Sequence, residues 1–111
     1  MAVLLMDENE IACHHGDLQL DYEALTIQRN GESHKLTRKE FDLLAILMQH
    51  AGVVMHREDL LMLVWGYSST IHTRTLDVHI LRVRKHLNRV GLRCIETIVR
   101  VGYRYQTPVH P

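Results

Sequence analysis

Residues 11–36 show the alternation of apolar and polar positions that is typical of short strands. Leu18, Leu20 and Tyr22 alternate with polar residues, which is the period of a strand with one buried face. The pattern predicts a small antiparallel sheet. The segment MAVLLMDENE at residues 1–10 is either an added edge strand or a tail, and its pattern leaves both open.

The turn of this sheet is marked by Asn30-Gly31. This dipeptide is the strongest short-range signal for a tight β-hairpin, because both residues adopt a positive φ easily. It lies between LTIQ at 25–28 and HKL at 34–36, which are predicted to be the paired strands.

Residues 37–90 change to the helical period and are predicted to form three helices. Thr37 and Glu40 have the spacing of a capping box ahead of an apolar run, so the first helix is predicted to begin at Arg38. Gly52 is its predicted stop.

The second predicted helix, about residues 57–65, is apolar almost all round and ends at Gly66. Such a helix is expected to be sandwiched inside the domain. His56 stands where a hydroxyl N-cap is usual, with Asp59 three residues later, so the capping box is imperfect. The substitution is expected to weaken the cap by about 1 kcal/mol.

The third predicted helix, about residues 74–90 with Thr73 as its N-cap, has two distinct faces. At 100° per residue, five of its apolar residues fall within a stripe about 80° wide. The stripe consists of Leu76, Ile80, Val83, Leu87 and Val90. The opposite side, called the outer face below, consists of Arg74, Val78, Arg82, Lys85 and Arg89, with Arg84 on its flank.

The cations of the outer face have almost no acidic partners along the helix. Asp77 is the only acid there, and it lies near the N-terminus, where the helix dipole favours a negative charge. The ordinary explanation of these exposed cations is that any amphipathic helix carries lysine and arginine on its solvent side. Like charges four residues apart nevertheless repel each other unless an anion neutralises them, so the face favours a polyanionic partner.

The formal net charge of zero conceals a segregation of charge along the chain. Residues 1–71 contain 5 basic and 11 acidic side chains, whereas residues 72–111 contain 8 basic and 2 acidic ones. This asymmetry again points to a polyanionic partner for the basic part.

A hairpin is predicted after the third helix, over residues 91–106. RCIETIV at 93–99 and YRY at 103–105 have strand character, and the turn between them carries Gly102. An α-helix fits the major groove of DNA, and a basic hairpin beside it can reach the neighbouring minor groove or backbone. The order of elements therefore predicts a winged helix-turn-helix. The basic residues of the hairpin are Arg93, Arg100 and Arg104.

The composition excludes several other classes. The length corresponds to one domain, residues 1–111, and no apolar run approaches the roughly 20 residues of a membrane span. The two cysteines lack metal-site spacing, and His72, His79 and His86 are too far apart along a helix to share one ion. No phosphate-binding loop or nucleophile motif occurs. The sequence therefore predicts no enzymatic activity, no bound metal and no cofactor. It predicts a cytoplasmic location.

Four segments resemble the effector domain of OmpR/PhoB-type response regulators. They are LTRKEFDLLAILMQHAG, HREDLLMLVWG, HTRTLDVHILRVRKHL and VGYRY, within residues 16–106. The resemblance implies an α+β fold with an N-terminal four-stranded antiparallel sheet, a three-helix bundle and a C-terminal β-hairpin, the wing. It also implies sequence-specific binding to promoter DNA and control of transcription within a bacterial two-component phosphorelay.

The resemblance implies partners as well. The helix at 74–90 would lie in the major groove and the wing, about 93–105, at the minor groove or backbone. Such domains often bind direct repeats as head-to-tail dimers. The receiver domain that governs them is absent from this chain, which leaves open an excised effector domain or a receiver-less protein. The loop expected to contact RNA polymerase comprises Gly66, Tyr67, Ser68, Ser69, Thr70, Ile71 and His72.

The DNA-binding positions of the family match this sequence unevenly. Arg74 and Thr75 match phosphate-binding positions, and Arg84 matches a backbone-contacting arginine. Val78 matches a position that touches a thymine methyl, and Arg82 matches a base-contacting position suited to guanine. The whole set implied is Arg74, Thr75, Val78, His79, Arg82, Arg84, Lys85, Arg89, Thr97 and Arg100. His79 lies between the two faces, so a packed histidine is at least as well supported as a phosphate contact.

The sequence departs from the family pattern on the helix and in the wing. Leu81 stands where the family often has a polar or basic residue, which removes one DNA contact. In the wing, Val99 falls on the position of the family's minor-groove arginine and Arg100 on the position of a glycine. Either the turn is rebuilt so that Arg100 makes the contact, or minor-groove binding is weakened. We favour the first.

A second class of function competes with DNA binding. The same scaffold could serve as a protein-interaction module that does not bind DNA, because a fold alone does not determine a function. The basic outer face argues against this alternative, and the salt dependence of duplex binding separates the two.

Overall fold

Two small sheets flank three helices. The computed structural model describes residues 17–68 and 71–106. The N-terminal sheet has the order β1-β2-β3, and its strands are β1 (Gln19–Asp21), β2 (Thr26–Arg29) and β3 (Glu32–Lys35). The helices are α1 (Arg38–Gln49), α2 (Arg57–Trp65) and α3 (Thr75–Arg89). The second sheet has the order β4-β6-β5, and its strands are β4 (Met55–His56), β5 (Ile95–Ile98) and β6 (Gly102–Tyr105).

The N-terminal sheet turns where the sequence predicts. Asn30 and Gly31 have φ values of +53° and +82°, and they join β2 to β3 with Arg29 opposite Glu32. Two successive positive φ values match the strand twist, which explains the Asn-Gly pair. Residues 17–68 contribute three strands to this sheet rather than the four that the family resemblance implies. The alternative of an edge strand within residues 1–10 lies outside the described residues.

The capping box predicted for α1 is confirmed. The Thr37 hydroxyl accepts a hydrogen bond from the Glu40 N–H at 3.3 Å, and the Glu40 carboxylate accepts one from the Thr37 N–H at 2.9 Å. The helix ends at Gln49, shortly before Gly52, whose φ of +87° turns the chain. The Gly52 N–H then donates to the carbonyl of Tyr105, so the end of α1 is attached to β6.

Helix α2 has its predicted bounds but not its predicted environment. It ends at Gly66, which adopts the left-handed conformation with φ +75°. Its buried residues are Leu60, Leu61 and Val64. The expectation that α2 is sandwiched is wrong, because Met62 and Leu63 are 55% and 52% exposed. Among the described residues, the His56 side chain makes no capping hydrogen bond, as its residue type predicts.

Gly102 lies at the start of β6 rather than in the wing turn. It pairs with His56 of β4 and with Ile98 of β5. A Cβ at this position would come within 1.9 Å of the Met55 carbonyl oxygen. Glycine is therefore required by the close approach of β4 to β6, and not by a turn.

One core joins the elements around α3. The whole apolar stripe of that helix is buried, and it packs against α1. Two polar contacts support the docking. His86 Nε2 lies 3.3 Å from the buried Glu40 carboxylate, and the Arg29 guanidinium donates to the carbonyl of Val90 at the end of α3. No helix within residues 17–68 and 71–106 is long and apolar enough to cross a membrane.

Candidate nucleic-acid interface

Helix α3 presents its outer face to solvent. All five residues of that face are exposed, whereas the residues of the apolar stripe are at most 6% exposed. This confirms the two faces predicted from the sequence. The helix begins one residue later than predicted, at Thr75, and its N-cap is Arg74, whose side chain makes no capping hydrogen bond. The prediction that Thr73 is the N-cap is therefore wrong. The Thr73 hydroxyl instead accepts a hydrogen bond from the Thr75 N–H at 3.2 Å in the turn before the helix.

The only acid of α3 is neutralised inside the protein. The Arg57 guanidinium donates two hydrogen bonds to the Asp77 carboxylate, at 2.6 Å and 3.0 Å. The Tyr103 hydroxyl donates a third to the same carboxylate at 2.5 Å. These bonds, with Arg57 first, hold the pKa of Asp77 below its ordinary value. Asp77 therefore stays anionic and paired, and it does not compensate the cations of the outer face.

Neither Arg57 nor Tyr103 was among the residues that the sequence indicated. The three residues come from the start of α2, the first turn of α3 and the strand β6, and only the tertiary fold brings them together. We call Arg57, Asp77 and Tyr103 the Asp77 cluster. Burial and the neighbouring carboxylate raise the pKa of Tyr103, so its hydroxyl keeps the proton that it donates.

Arg84 joins α3 to the wing. Its Nη2 donates to the Ile95 carbonyl at 2.9 Å and to the Thr97 hydroxyl at 2.7 Å, both on β5. Its guanidinium carbon lies 5.7 Å from the centroid of the Tyr103 ring, within cation–π range. The structure thus places Arg84 and Thr97 together at the junction of helix and wing, where one guanidinium nitrogen is already used by the protein.

The tip of the wing carries Arg100 in an unusual conformation. The turn is closed by the Val101 N–H, which donates to the Ile98 carbonyl at 2.9 Å. Arg100 occupies it with φ +68°, a left-handed conformation that suits glycine better than arginine. Val99, beside it, is 74% exposed. The turn therefore accepts an arginine at the position of the family's glycine and leaves the cation in solvent.

Of the three basic residues that the sequence indicated in the wing, Arg104 is paired with an acid. The guanidinium of Arg104 donates to the Glu96 carboxylate through Nε at 2.9 Å and through Nη2 at 2.5 Å. Gln106 donates to the same carboxylate oxygen at 2.8 Å. This pairing leaves Arg93 and Arg100 as the exposed cations without an acidic partner in the described part of the wing.

His79 packs within the protein as the sequence allowed. Its Nδ1 lies 2.7 Å from the Thr75 carbonyl oxygen. Its ring packs edge to face with the Trp65 ring, with 4.9 Å between the ring centroids. A proton on Nδ1 is needed for that hydrogen bond, which directs Nε2 away from the helix backbone. The contact with Trp65 connects α3 to the end of α2.

The loop between α2 and α3 is exposed where the structure describes it. Tyr67 and Ile71 are 37% and 46% exposed, and Gly66, Ser68 and His72 are exposed as well. Ser69 and Thr70 lie outside the described residues. The loop borders an open cavity of about 450 Å³, lined by Arg57, Glu58, Leu61, Ser68, Ile71, His72, Thr73 and Arg74.

A three-helix unit with an exposed basic helix and a basic hairpin beside it defines the class of winged-helix DNA-binding domains. Residues 31–105 match the family model described as "Transcriptional regulatory protein, C terminal". The chain belongs to this family, as a winged-helix DNA-binding domain of OmpR/PhoB-type response regulators. It is a family of transcriptional regulators and not of enzymes.

Named relatives and solved structures agree with this assignment. The chain is 46% identical over 88 residues to the transcriptional regulatory protein VxrB of Vibrio cholerae, covering 79% of the chain and 35% of VxrB. Among solved structures, the DNA-binding domain of Klebsiella pneumoniae RstA, in complex with the RstA box, is similar with a TM-score of 0.74 and 32% identity. The match covers 85% of this chain and 95% of the RstA domain. The DNA-binding domain of CpxR from E. coli is similar with a TM-score of 0.70 and 32% identity, and the match covers 81% of this chain and 90% of the CpxR domain.

The chain is short beside its full-length relatives. It spans 35% of VxrB and 39% of the response regulator ArlR of Staphylococcus saprophyticus, to which it is 36% identical over 85 residues, or 76% of the chain.

Proposed function

We propose that this chain binds promoter DNA sequence-specifically as the effector domain of a two-component response regulator. Helix α3 lies in the major groove and the wing at the neighbouring minor groove or backbone. The observation that carries the proposal is the outer face of α3, whose cations are exposed, while Asp77, the only acid of the helix, is held by Arg57 and Tyr103. A duplex supplies the anions that such a face lacks.

The residues of the interface have different roles in this proposal. Arg82 and Val78 contact base edges, as a bidentate partner of guanine and an apolar neighbour of a thymine methyl. Arg100 enters the minor groove from the tip of the wing, and Arg84 and Thr97 serve at the junction of helix and wing. The remaining residues, which position the domain on phosphates, are Arg74, Thr75, His79, Lys85 and Arg89.

The length of α3 supports this placement. Fifteen residues span about 22 Å, which is enough to cross several base pairs within a groove about 12 Å wide. The solved RstA domain, with its bound DNA box and a TM-score of 0.74, is a precedent for the same fold on DNA.

The proposal extends to the partners of the whole protein. Residues 1–111 act as one domain that binds direct repeats as a head-to-tail dimer in the cytoplasm. The loop from Gly66 to His72, exposed where it is described, contacts RNA polymerase. In a full-length protein, a receiver domain outside this chain governs the output.

Selection of bound duplexes from a random pool tests the proposal. It is expected to return one motif, repeated directly. Arg82→Ala is then expected to cost about 1–3 kcal/mol and to relax the preference at one base pair, whereas Lys85→Ala weakens all duplexes alike. A pool that stays random after several rounds contradicts sequence-specific binding and favours the alternative, a winged-helix protein-interaction module.

A further inference from the structure

The wing is attached to α3 at two points. Tyr103 meets Asp77 through its hydroxyl, and Arg84 meets β5 through the Ile95 carbonyl and Thr97. Asp77 and Arg84 are seven residues apart, so the two attachments are about 10 Å apart along the helix. Two separated attachments restrict both the distance and the angle between the wing and the helix, which a single contact cannot do.

Tyr103 is the residue that both attachments share. Its hydroxyl lies on the Asp77 carboxylate, and its ring lies under the Arg84 guanidinium at 5.7 Å from the centroid. The side chain is only 6% exposed, so packing keeps it in one position. Its strand leads back directly to the turn that carries Arg100.

Arg57 holds the wing turn at Val101, the residue that follows Arg100. Its backbone N–H donates to the Val101 carbonyl at 3.1 Å, while its side chain makes two hydrogen bonds to Asp77. The residue next to Arg100 is therefore held by the amino acid that also holds the first turn of α3. The Asp77 cluster thus links the position of the wing tip to the position of α3.

We infer that Tyr103 is a positioning residue for DNA binding: through Asp77, its hydroxyl determines where Arg100 lies relative to the outer face of α3. The inference rests on the proposed function. Tyr103 touches no DNA in this scheme, and its contribution to affinity is made through Arg100. A wing that is not held at the correct distance cannot place Arg100 in its groove while α3 stays in the adjacent one.

A double-mutant cycle on the duplex obtained from the random pool tests the inference. Tyr103→Phe removes only the hydroxyl and keeps the buried ring. Arg100→Ala and Tyr103→Phe are each expected to weaken binding by about tenfold. Because Tyr103 acts through Arg100, the double variant is expected to be no weaker than Arg100→Ala alone. Tyr103→Phe combined with Lys85→Ala is expected to be additive.

Tyr105→Phe is the matched control. It removes a hydroxyl from the same strand, and that hydroxyl forms a hydrogen bond with the Cys94 thiol. It is expected to leave the effect of Arg100→Ala unchanged. Thermal denaturation of each variant selects a temperature at which all are folded, so that a loss of folded protein does not count as a loss of affinity.

Each contrary outcome has its own meaning. Additive effects of Tyr103→Phe and Arg100→Ala overturn the inference, because they show that the hydroxyl acts independently of the wing tip. The inference is also overturned if Tyr105→Phe is coupled to Arg100→Ala as strongly as Tyr103→Phe is. It is overturned as well if Arg100→Ala, as a single substitution, does not change the affinity for the duplex. If the chain binds no duplex at all, the proposed function fails and the inference falls with it.

Discussion

The guanidinium of Arg84 on α3 and the hydroxyl of Thr97 on β5 are joined by a hydrogen bond of 2.7 Å. The neighbouring residue, Lys85, is exposed on the outer face. Two adjacent cations of one helix therefore have different environments, one attached to the wing and one directed to solvent.

Arg84→Ala is predicted to destabilise the domain, and Lys85→Ala is not. Arg84 donates two hydrogen bonds to the wing, so its loss is expected to lower the free energy of unfolding by about 1–2 kcal/mol. An outward lysine is expected to change it by less than about 0.5 kcal/mol. Urea denaturation of both variants measures the difference. Equal stabilities would mean that the contact of Arg84 with the wing contributes nothing.

Gly102→Ala is predicted to lower the free energy of unfolding by about 3 kcal/mol. The added Cβ would displace the Met55 carbonyl and separate β4 from β6. Gly52→Ala is the control. Gly52 has a positive φ, but no atom lies within 4 Å of the added Cβ. The Gly52→Ala variant is therefore expected to lose only about 1 kcal/mol of its free energy of unfolding, through backbone strain. Melting temperatures of the two variants report the ranking, and a Gly52 variant as unstable as the Gly102 variant would contradict the steric explanation.

Arg100→Gly and Arg100→Ala are predicted to separate conformation from side-chain function. Both remove the cation, so both are expected to weaken DNA binding to the same extent. Only glycine relieves the left-handed backbone at φ +68°, so Arg100→Gly is expected to be about 1 kcal/mol more stable than Arg100→Ala. Thermal denaturation and binding titrations of the pair measure both quantities. A more stable alanine variant would show that this conformation carries no strain.

Acid is predicted to weaken the domain partly through Asp77. The pKa of this carboxyl is lowered in the folded protein from its ordinary value of 3.8, so its stabilising contribution is present above that pH and is lost as the pH falls below it. Asp77→Asn is expected to be less stable than the unchanged protein at pH 6. The difference should shrink below about pH 4, as Asp77 becomes protonated.

Urea denaturation of both proteins between pH 6 and pH 2 measures this difference directly. Asp17 and Glu96 also have pKa values lowered by arginine partners, but both proteins contain them and their effect cancels. A difference in stability that does not change with pH would show that Asp77 contributes by packing and not by its charge.

Features that depend on neighbours in the sequence could be predicted. The capping box of Thr37 and Glu40, the Asn30-Gly31 turn and the end of α2 at Gly66 are all local, and the structure has them. The two faces of α3 follow from helical period alone, so the exposed outer face was predictable as well.

Features that depend on tertiary contacts could not be predicted in this way. Arg57, Asp77 and Tyr103 are distant in the sequence, and no period or motif relates them. Met62 and Leu63 have the composition of a buried surface, but α2 packs with only one side against its neighbours. Gly102 has the residue type of a turn, and only the pairing of β4 with β6 explains it.

The salt dependence of binding to the duplex selected from the random pool tests the central claim most directly. If the outer face of α3 and the wing bind the backbone and neutralise five to eight phosphates, log K is predicted to fall with log salt with a slope of roughly −4.5 to −7 between 50 and 200 mM. A scrambled duplex should bind more weakly throughout this range. A flat dependence, or no binding at 50 mM salt, would contradict the account.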